Sequence, residues 1–160
     1  MKQGGSPNSV LSGIKIRKAG PDDLSHLMKI WLSSNLEAHP YVPENYWKAH
    51  YDEVRDYYLP QSEVYCAVNA DETVVGFIGL VKGYIAGLFI DREFRGQGAG
   101  GKLVSFCQKM KTSLELDVFA KNTRAIHFYE KMGFSITEKK KSLDTGEEEY
   151  RMVWNQSELG

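Results

Sequence analysis

The stretch "DREFRGQGAG", from Asp91 to Gly100, places three glycines in five positions directly after the apolar run "YIAGLFI" (84–90). Glycine weakens helices and strands, so a cluster of glycines is expected where the main chain must come close to a ligand. The N–H groups of a glycine-rich turn that opens a helix bind anions, and phosphate is the usual one. The stretch therefore predicts a phosphate-binding turn between a strand and a helix.

Two common phosphate motifs fit this stretch only in part. "GQGAGGK" (96–102) approaches a Walker A loop, but Leu103 stands where a Ser or Thr hydroxyl must hold magnesium. "GQGAGG" (96–101) satisfies the dinucleotide pattern G-x-G-x-x-G, and Asp117 follows at a distance suited to a ribose. Only about sixty residues remain after it, too few for the further βα units of a dinucleotide fold. Both motifs are therefore disfavoured.

A third pattern, R-x-x-G-x-G, is formed by Arg95, Gly98 and Gly100. The stretch "LFIDREFRGQGAGGKL" (88–103) resembles motif A of the GNAT N-acetyltransferase superfamily, and "NTRAIHFYEKMGF" (122–134) resembles its motif B. The order of elements from Ile14 to Trp154 is also similar, so the resemblance covers nearly the whole chain. It implies an α+β single-domain fold with a central mixed, mostly antiparallel sheet flanked by helices.

Periodicity along the chain predicts the element order β-α-α-β-β-β-α-β-α-β-β. Residues 1–13 are predicted to be a flexible lead-in, residues 14–155 the acetyltransferase domain, and residues 156–160 a tail. Pro60 is expected to close the second helix. The turn "DTG" (144–146) is expected to form a hairpin in which the "KKK" and "EEE" runs make cross-strand ion pairs.

Composition excludes several classes of protein. The 160 residues are 42% hydrophobic and 26% charged with a net charge of −1, which predicts no nucleic-acid partner. No apolar run approaches the roughly 18 residues of a membrane span, so no membrane partner is expected. The two cysteines fit neither a disulfide framework nor a zinc site, and no metal is predicted. A cytoplasmic monomer or homodimer is the expectation.

The resemblance implies acetyl-CoA as the cofactor. Its pyrophosphate would lie on the backbone from Arg95 to Gly100, and its pantetheine arm along the strand before it. Arg95 is either a phosphate contact or a solvated loop residue, and Asn122 also has the position of a helix N-cap. The implied cofactor contacts are Leu88, Phe89, Ile90, Arg95, Gly96, Gln97, Gly98, Ala99, Gly100, Asn122, Phe128 and Tyr129.

The resemblance also implies that Tyr129 is catalytic. Its phenol would protonate the departing thiolate of coenzyme A. The alternative is that Tyr129 only packs in the hydrophobic core. The general base stays open among Tyr84, Glu115, Asp117, His39 and a chain of water molecules. Glu115 and Asp117 alternate with apolar residues, so they also fit a polar strand face. Tyr84 and Tyr41 are the predicted contacts for the acceptor.

The expected reaction is direct transfer of acetyl to a primary amine, either a protein lysine or N-terminus or a small molecule. In the family, the segment "HPYVPENYWKAHY" (39–51) would help to wall the acceptor site. This part of the chain looks like that of small bacterial YiaC-like acetyltransferases, some of which act on protein lysines. The alternative is a non-catalytic module that binds or senses acyl-CoA. Such a module would have no need for the phenol of Tyr129.

Overall fold

The computed structural model describes residues 13–156, in which seven strands and four helices follow the predicted order. The predicted lead-in and tail therefore lie almost wholly outside the described residues. The elements are β1 (Lys15–Lys18), α1 (Leu24–Ala38), α2 (Glu44–Glu53), β2 (Glu63–Val68), β3 (Val74–Val81), β4 (Tyr84–Ile90), α3 (Ala99–Met110), β5 (Ser113–Phe119), α4 (Thr123–Lys131), β6 (Ser135–Lys141) and β7 (Glu148–Asn155). None of the helices in this range is long and apolar enough to cross a membrane.

The strands form a single sheet in the order β1-β2-β3-β4-β5-β7-β6. Every neighbouring pair is antiparallel except β4 and β5, which run parallel. This arrangement confirms the predicted mixed, mostly antiparallel sheet. The parallel pair lies near the middle of the sheet, so it separates a half made of β1–β4 from a half made of β5–β7.

A hydrophobic core lies on each face of the sheet, between the strands and the helices that pack against them. On β2, Val64, Cys66 and Val68 pack with α1 and α2, whereas Ala67 joins the core beneath α3 and α4. This is the alternation that a strand imposes on its side chains. Both cysteines are fully buried with free thiols, so Cys107 is a core residue as predicted.

The same alternation fixes where the polar residues of the second half of the sheet lie. Leu116 on β5 and Met152 on β7 are buried against α3 and α4. Their neighbours Asp117 and Arg151 therefore lie on the opposite face, the face on which α1 and α2 pack against the first half. This face of β5 and β7 is polar, as the sequence pattern predicts.

Strands β4 and β5 diverge almost as soon as they meet. Their pairing register contains a single residue pair, Tyr84 with Glu115. On its other side β4 follows β3, but the register shifts between Gly79 and Leu80, so that Ala86 is an extra residue in β4. A bulge of this kind bends its strand and redirects it. The result is a gap between the two halves of the sheet.

The second helical segment contains a turn that periodicity does not predict. After α2 the chain forms a π-helical turn (Val54–Tyr58) and a last helical turn (Leu59–Gln61), so the segment ends one residue beyond Pro60. Proline has no N–H, and its ring crowds the carbonyl four residues earlier. The wider π turn, in which the Leu59 N–H donates to the Val54 carbonyl, precedes the proline directly.

The hairpin of β6 and β7 has the predicted facing charges but different ion pairs. Lys140 stands opposite Glu149 in the register, and Lys141 opposite Glu148. The Lys140 ammonium lies instead 3.0 Å from Asp117 on β5. The prediction of cross-strand ion pairs is therefore wrong for the described residues. Lys140 pairs with the Asp117 carboxylate on β5 and not with Glu149 on the facing strand.

Helix α4 ends in a Schellman motif that requires glycine. Gly133 has a φ of +96°, its N–H donates to the Glu130 carbonyl, and the Phe134 N–H donates to the Tyr129 carbonyl. A Cβ atom at this position would also lie 3.1 Å from a ring carbon of Trp154. Gly133 therefore combines a left-handed backbone with close packing.

We expect Gly133→Ala to lower the free energy of unfolding by about 1–2 kcal/mol, because a side chain strains the left-handed conformation. Gly101→Ala is the matched control: it lies in α3, and its Cβ atom would meet nothing within 4 Å. Alanine favours a helix, so this change should raise stability by up to about 1 kcal/mol. Urea unfolding of both variants measures the difference. Equal stability of Gly133→Ala and the wild type would contradict the assignment.

Candidate active site

A cavity of about 830 Å³ fills the gap between β4 and β5. It extends from the N-terminal ends of α3 and α4 to the C-terminal half of α1 and to Trp47 on α2. A volume of this size suits a ligand that is largely buried. Of the predicted cofactor contacts, Gln97 does not line the cavity; those that do are Leu88, Phe89, Ile90, Arg95, Gly96, Gly98, Ala99, Gly100, Asn122, Phe128 and Tyr129.

One end of the cavity is an anion-binding turn. Gly98 is the N-cap of α3 with a φ of +86°, and the first intrahelical bond runs from the Lys102 N–H to the Gly98 carbonyl at 3.1 Å. The N–H groups of Ala99, Gly100 and Gly101 therefore have no helical partner, as at any helix start. They lie at the positive end of the helix dipole, which favours a phosphate.

The Arg95 side chain makes a contact that neither sequence interpretation anticipates. Its guanidinium pairs with the carboxylate of Glu37 near the end of α1, and Arg92 lies 3.4 Å from the same carboxylate. Glu37 partly neutralises Arg95, and the backbone N–H groups add their own attraction for an anion in this turn. The ion pair also ties the turn to the C-terminal end of α1.

Helix α4 holds Tyr129 in a fixed position. At its start the Asn122 side chain accepts a hydrogen bond of 3.2 Å from the Ala125 N–H, which confirms the predicted N-cap. At its end the Schellman motif binds the Tyr129 carbonyl. The Tyr129 ring packs edge-on against Phe128 and Phe134, with ring centroids 5.1 and 5.4 Å away.

Tyr129 lines the cavity, and its hydroxyl has no hydrogen-bond partner among the described residues. The residue is only 7% exposed, and its hydroxyl makes no hydrogen bond with any residue between 13 and 156. Burial raises the pKa of Tyr129 well above its ordinary value. The phenol is therefore protonated at neutral pH and has a proton to donate.

Asp117, one of the predicted base candidates, is already saturated with donors. It accepts hydrogen bonds from the Tyr84 hydroxyl at 2.9 Å and from Arg151 at 2.8 Å, and Lys140 lies 3.0 Å away. Burial alone would raise the pKa of Asp117, but the bonds from Arg151, Lys140 and Tyr84 outweigh it and hold that pKa below its ordinary value. Asp117 lines the cavity as a fixed anion.

The two predicted acceptor contacts lie behind the cavity wall. Tyr84 donates to Asp117 and does not line the cavity. Burial, followed by the charge of Asp117, raises the pKa of Tyr84, so its phenol remains protonated. Tyr41 also lies behind the wall, with its ring against His39 and Phe119 and its hydroxyl buried without a partner among the described residues. Their role in acceptor binding stays a prediction.

His39 does line the cavity, at the point where α1 ends. Its ring stacks on Trp47 at 5.1 Å between centroids and meets the edge of Phe119 at 4.9 Å. Nδ1 lies 3.1 Å from the Asn35 carbonyl, so Nδ1 carries the hydrogen and Nε2 is an acceptor. Burial lowers the pKa of His39 to about 4, and the ring is neutral at pH 7.

Glu37 and Glu149 are two acidic residues at the site that the sequence-based predictions do not name. Glu37 contacts Arg95 from 58 positions away, and no local pattern indicates that contact. Glu149 on β7 also lines the cavity. Side chains alternate between the two faces of β7, so Glu149 could have been assigned to the same face as Arg151. Instead, the "EEE" run was interpreted as one half of a set of ion pairs.

The family model described as "Acetyltransferase (GNAT) family" matches residues 25–134, and the chain belongs to that family. It is an acetyltransferase, and the reaction of the family is acetyl transfer from acetyl-CoA to an amine.

The chain is similar to named bacterial relatives over most of its length. It is 33% identical over 133 residues to the peptidyl-lysine N-acetyltransferase YjaB of Salmonella typhimurium, covering 83% of this chain and 91% of the relative. It is 32% identical over 124 residues to the peptidyl-lysine N-acetyltransferase YiaC of Escherichia coli, covering 77% and 84%. The solution structure of apo YjaB from Escherichia coli matches with a TM-score of 0.78 at 30% identity, covering 88% and 97%.

We expect Gly98→Val to lower the affinity for acetyl-CoA by about 100-fold, because a branched side chain displaces N–H groups that would bind the charged pyrophosphate. Gly146→Val is the matched control, since Gly146 has a similar φ of +77° but lies in the β6–β7 turn outside the cavity. It should lose comparable stability and keep its affinity within about threefold. Titration calorimetry measures binding. A folded Gly98→Val protein with wild-type affinity would rule out the turn as the phosphate site.

Proposed function

We propose that this protein transfers the acetyl group of acetyl-CoA to the side-chain amine of a lysine in a protein or peptide. One observation carries the proposal: a single cavity joins an anion-binding turn, an unpaired phenol and a wall that bears carboxylates and aromatic rings. The first two features suit the donor, and the third suits a cationic acceptor with an aliphatic stem.

The residues at the gap fit the donor. The N–H groups of Ala99, Gly100 and Gly101 would hold the pyrophosphate, and Asn122 and Phe128 lie beside them on the wall. Beyond Tyr84, the groups of β4 that face β5 have no strand partner, so they are available to an extended ligand. Acetyl-CoA supplies an acetyl thioester when bound.

Tyr129 is proposed as the general acid. When the amine nitrogen bonds to the acetyl carbon, the carbon–sulfur bond breaks and the sulfur leaves as a thiolate. The Tyr129 hydroxyl donates its proton to that sulfur, and the phenolate then recovers a proton from the solvent or from the new amide nitrogen. Because burial raises the pKa of Tyr129, the phenol keeps its proton until the thiolate forms.

The acceptor wall supports a lysine side chain. Asp117 and Glu149 place carboxylates on the cavity, while Trp47, His39 and Phe119 offer ring surface to the methylene groups of the stem. The names of YjaB and YiaC, both peptidyl-lysine N-acetyltransferases, support the same acceptor class. No finding favours a non-catalytic acyl-CoA module.

An acceptor panel tests the proposal. We expect thiol release from acetyl-CoA to be at least about tenfold more efficient with a lysine peptide blocked at its N-terminus than with spermidine or with a lysine-free peptide. The aromatic rings suit the apolar methylene stem of lysine, whereas spermidine carries charged nitrogens along its whole chain. A preference for the polyamine or for the free N-terminus would contradict the lysine assignment, and no release with any amine would contradict catalysis.

We expect Tyr129→Phe to lower kcat by about 10²–10⁴-fold while the affinity for acetyl-CoA changes by less than about threefold, because only the acidic hydroxyl is lost. Tyr150→Phe is the matched control, since Tyr150 packs against the same core from β7 and does not line the cavity. Steady-state kinetics with calorimetric binding separates the two effects. Full kcat in Tyr129→Phe would leave solvent as the proton donor.

A further inference from the structure

Glu149 lies on the acceptor side of the cavity, between two strands that carry charge. On β7 it stands opposite Phe119 of β5 and opposite Lys140 of β6. The residue is half-buried and lines the same cavity as Asp117 and Tyr129. An acceptor amine that approaches from this side meets its carboxylate.

The two cations that act on Glu149, Lys140 and Arg151, are both engaged by other carboxylates. Arg151 binds Asp117 and Glu115 at 2.8 and 2.9 Å, and Lys140 lies 3.0 Å from Asp117. Within residues 13–156, Glu149 has neither a hydrogen bond nor an ion pair of its own. An unpaired, half-buried carboxylate is unfavourable, and a cationic ligand would relieve that cost.

The electrostatic surroundings of Glu149 make it a stronger base than an exposed glutamate. Burial raises the pKa of Glu149, and the charge of Asp117 raises it further, while Lys140 and Arg151 oppose the rise. The titratable and charged groups that act on it come from β4, β5, β6, β7, the β6–β7 turn and α2; they are Tyr84, Asp117, Lys140, Arg151, Asp144 and Tyr46.

Trp47 of α2 borders the same wall of the cavity. Trp47 is 9% exposed and lines the cavity, and its indole N–H is buried without a partner among the described residues. A buried indole N–H ordinarily finds an acceptor.

We propose that Glu149 receives the ammonium group of the acceptor in this cavity and accepts one proton from it before attack on the thioester. The inference rests on the proposed function and assigns its base. The ammonium loses one proton and becomes a neutral amine, and the Glu149 carboxylate becomes a neutral carboxylic acid. The nitrogen lone pair is then free to form the new bond, and Glu149 returns its proton to water at the cavity mouth.

The other base candidates suit this step less well. Asp117 is already bound by three donors, and its pKa is held low by them. Tyr84 is protonated and lies behind the wall. His39 is neutral, so it exerts no charge attraction on an ammonium, and a pKa of about 4 makes it a weak base. Glu115 pairs with Arg151 and does not line the cavity.

The test compares two acceptors with Glu149→Gln. One is a lysine peptide, and the other is the same peptide with an aminooxy group in place of the side-chain amine, which is a nucleophile without charge at neutral pH. We expect Glu149→Gln to lower kcat/KM about 100-fold with lysine and less than about threefold with the aminooxy peptide. Glu149→Asp should recover part of the activity with lysine. Affinity for acetyl-CoA should stay at the wild-type value in both variants.

Glu148→Gln is the matched control, because Glu148 is the exposed neighbour on β7 and does not line the cavity. An equal loss with both acceptors, or no loss with lysine, would overturn the role of Glu149. The proposed function is judged separately, on whether the wild type acetylates the lysine peptide. If the wild type prefers another amine, Glu149→Gln is compared with the wild type on that amine and on its aminooxy analogue. If it uses no amine at all, both proposals fail.

Discussion

The parallel contact between β4 and β5 is the constraint on which the rest of the structure depends. The strands share one residue pair and then separate, so main-chain groups along the gap have no partner in the sheet. Such groups are costly when they are buried and dry, and they are tolerated here because the gap is an open cavity. The bulge at Ala86 maintains the separation, and α3 and α4 both begin at its edge. A sheet that closed fully at this point would have no site.

Side-chain bonds stabilise the residues around the gap, and one of them, from Tyr84 to Asp117, crosses it. The Glu37–Arg95 ion pair joins α1 to the anion-binding turn. On the polar face, the Arg151 fork bridges Glu115 and Asp117, while Tyr84 reaches Asp117 from β4. Tyr84 and Asp117 therefore hold the two halves together where backbone pairing ends. The donors of these bonds, Tyr84 and Arg151, do not line the cavity, but they fix Asp117 on the proposed acceptor wall. Glu149 on the same wall has no ion pair among the described residues.

Sequence reasoning predicted the features that depend on local backbone chemistry. The glycine turn that opens a helix at Gly98 and the N-cap Asn122 follow from rules that span only a few residues. Features that depend on competition in three dimensions were not predicted. The "KKK" run was expected to pair with "EEE", yet the register alone cannot say that Lys140 prefers Asp117. Glu37 and Arg95 meet only because β4 and α1 are adjacent in the folded chain, and Glu149 is left without an ion pair because Lys140 and Arg151 bind Asp117.

The proposed donor and acceptor ends of the cavity are built by separate elements, and this division has an evolutionary consequence. The donor end is made by β4, α3 and α4, whose conformations are fixed by glycines, a cap and a shared core. The proposed acceptor end is shaped by the connection from α1 to α2 and by the hairpin of β6 and β7, and such connections vary more than the elements they join. A lineage can therefore exchange one acceptor for another by mutations in these two loops, and it keeps an unaltered donor site while it does so.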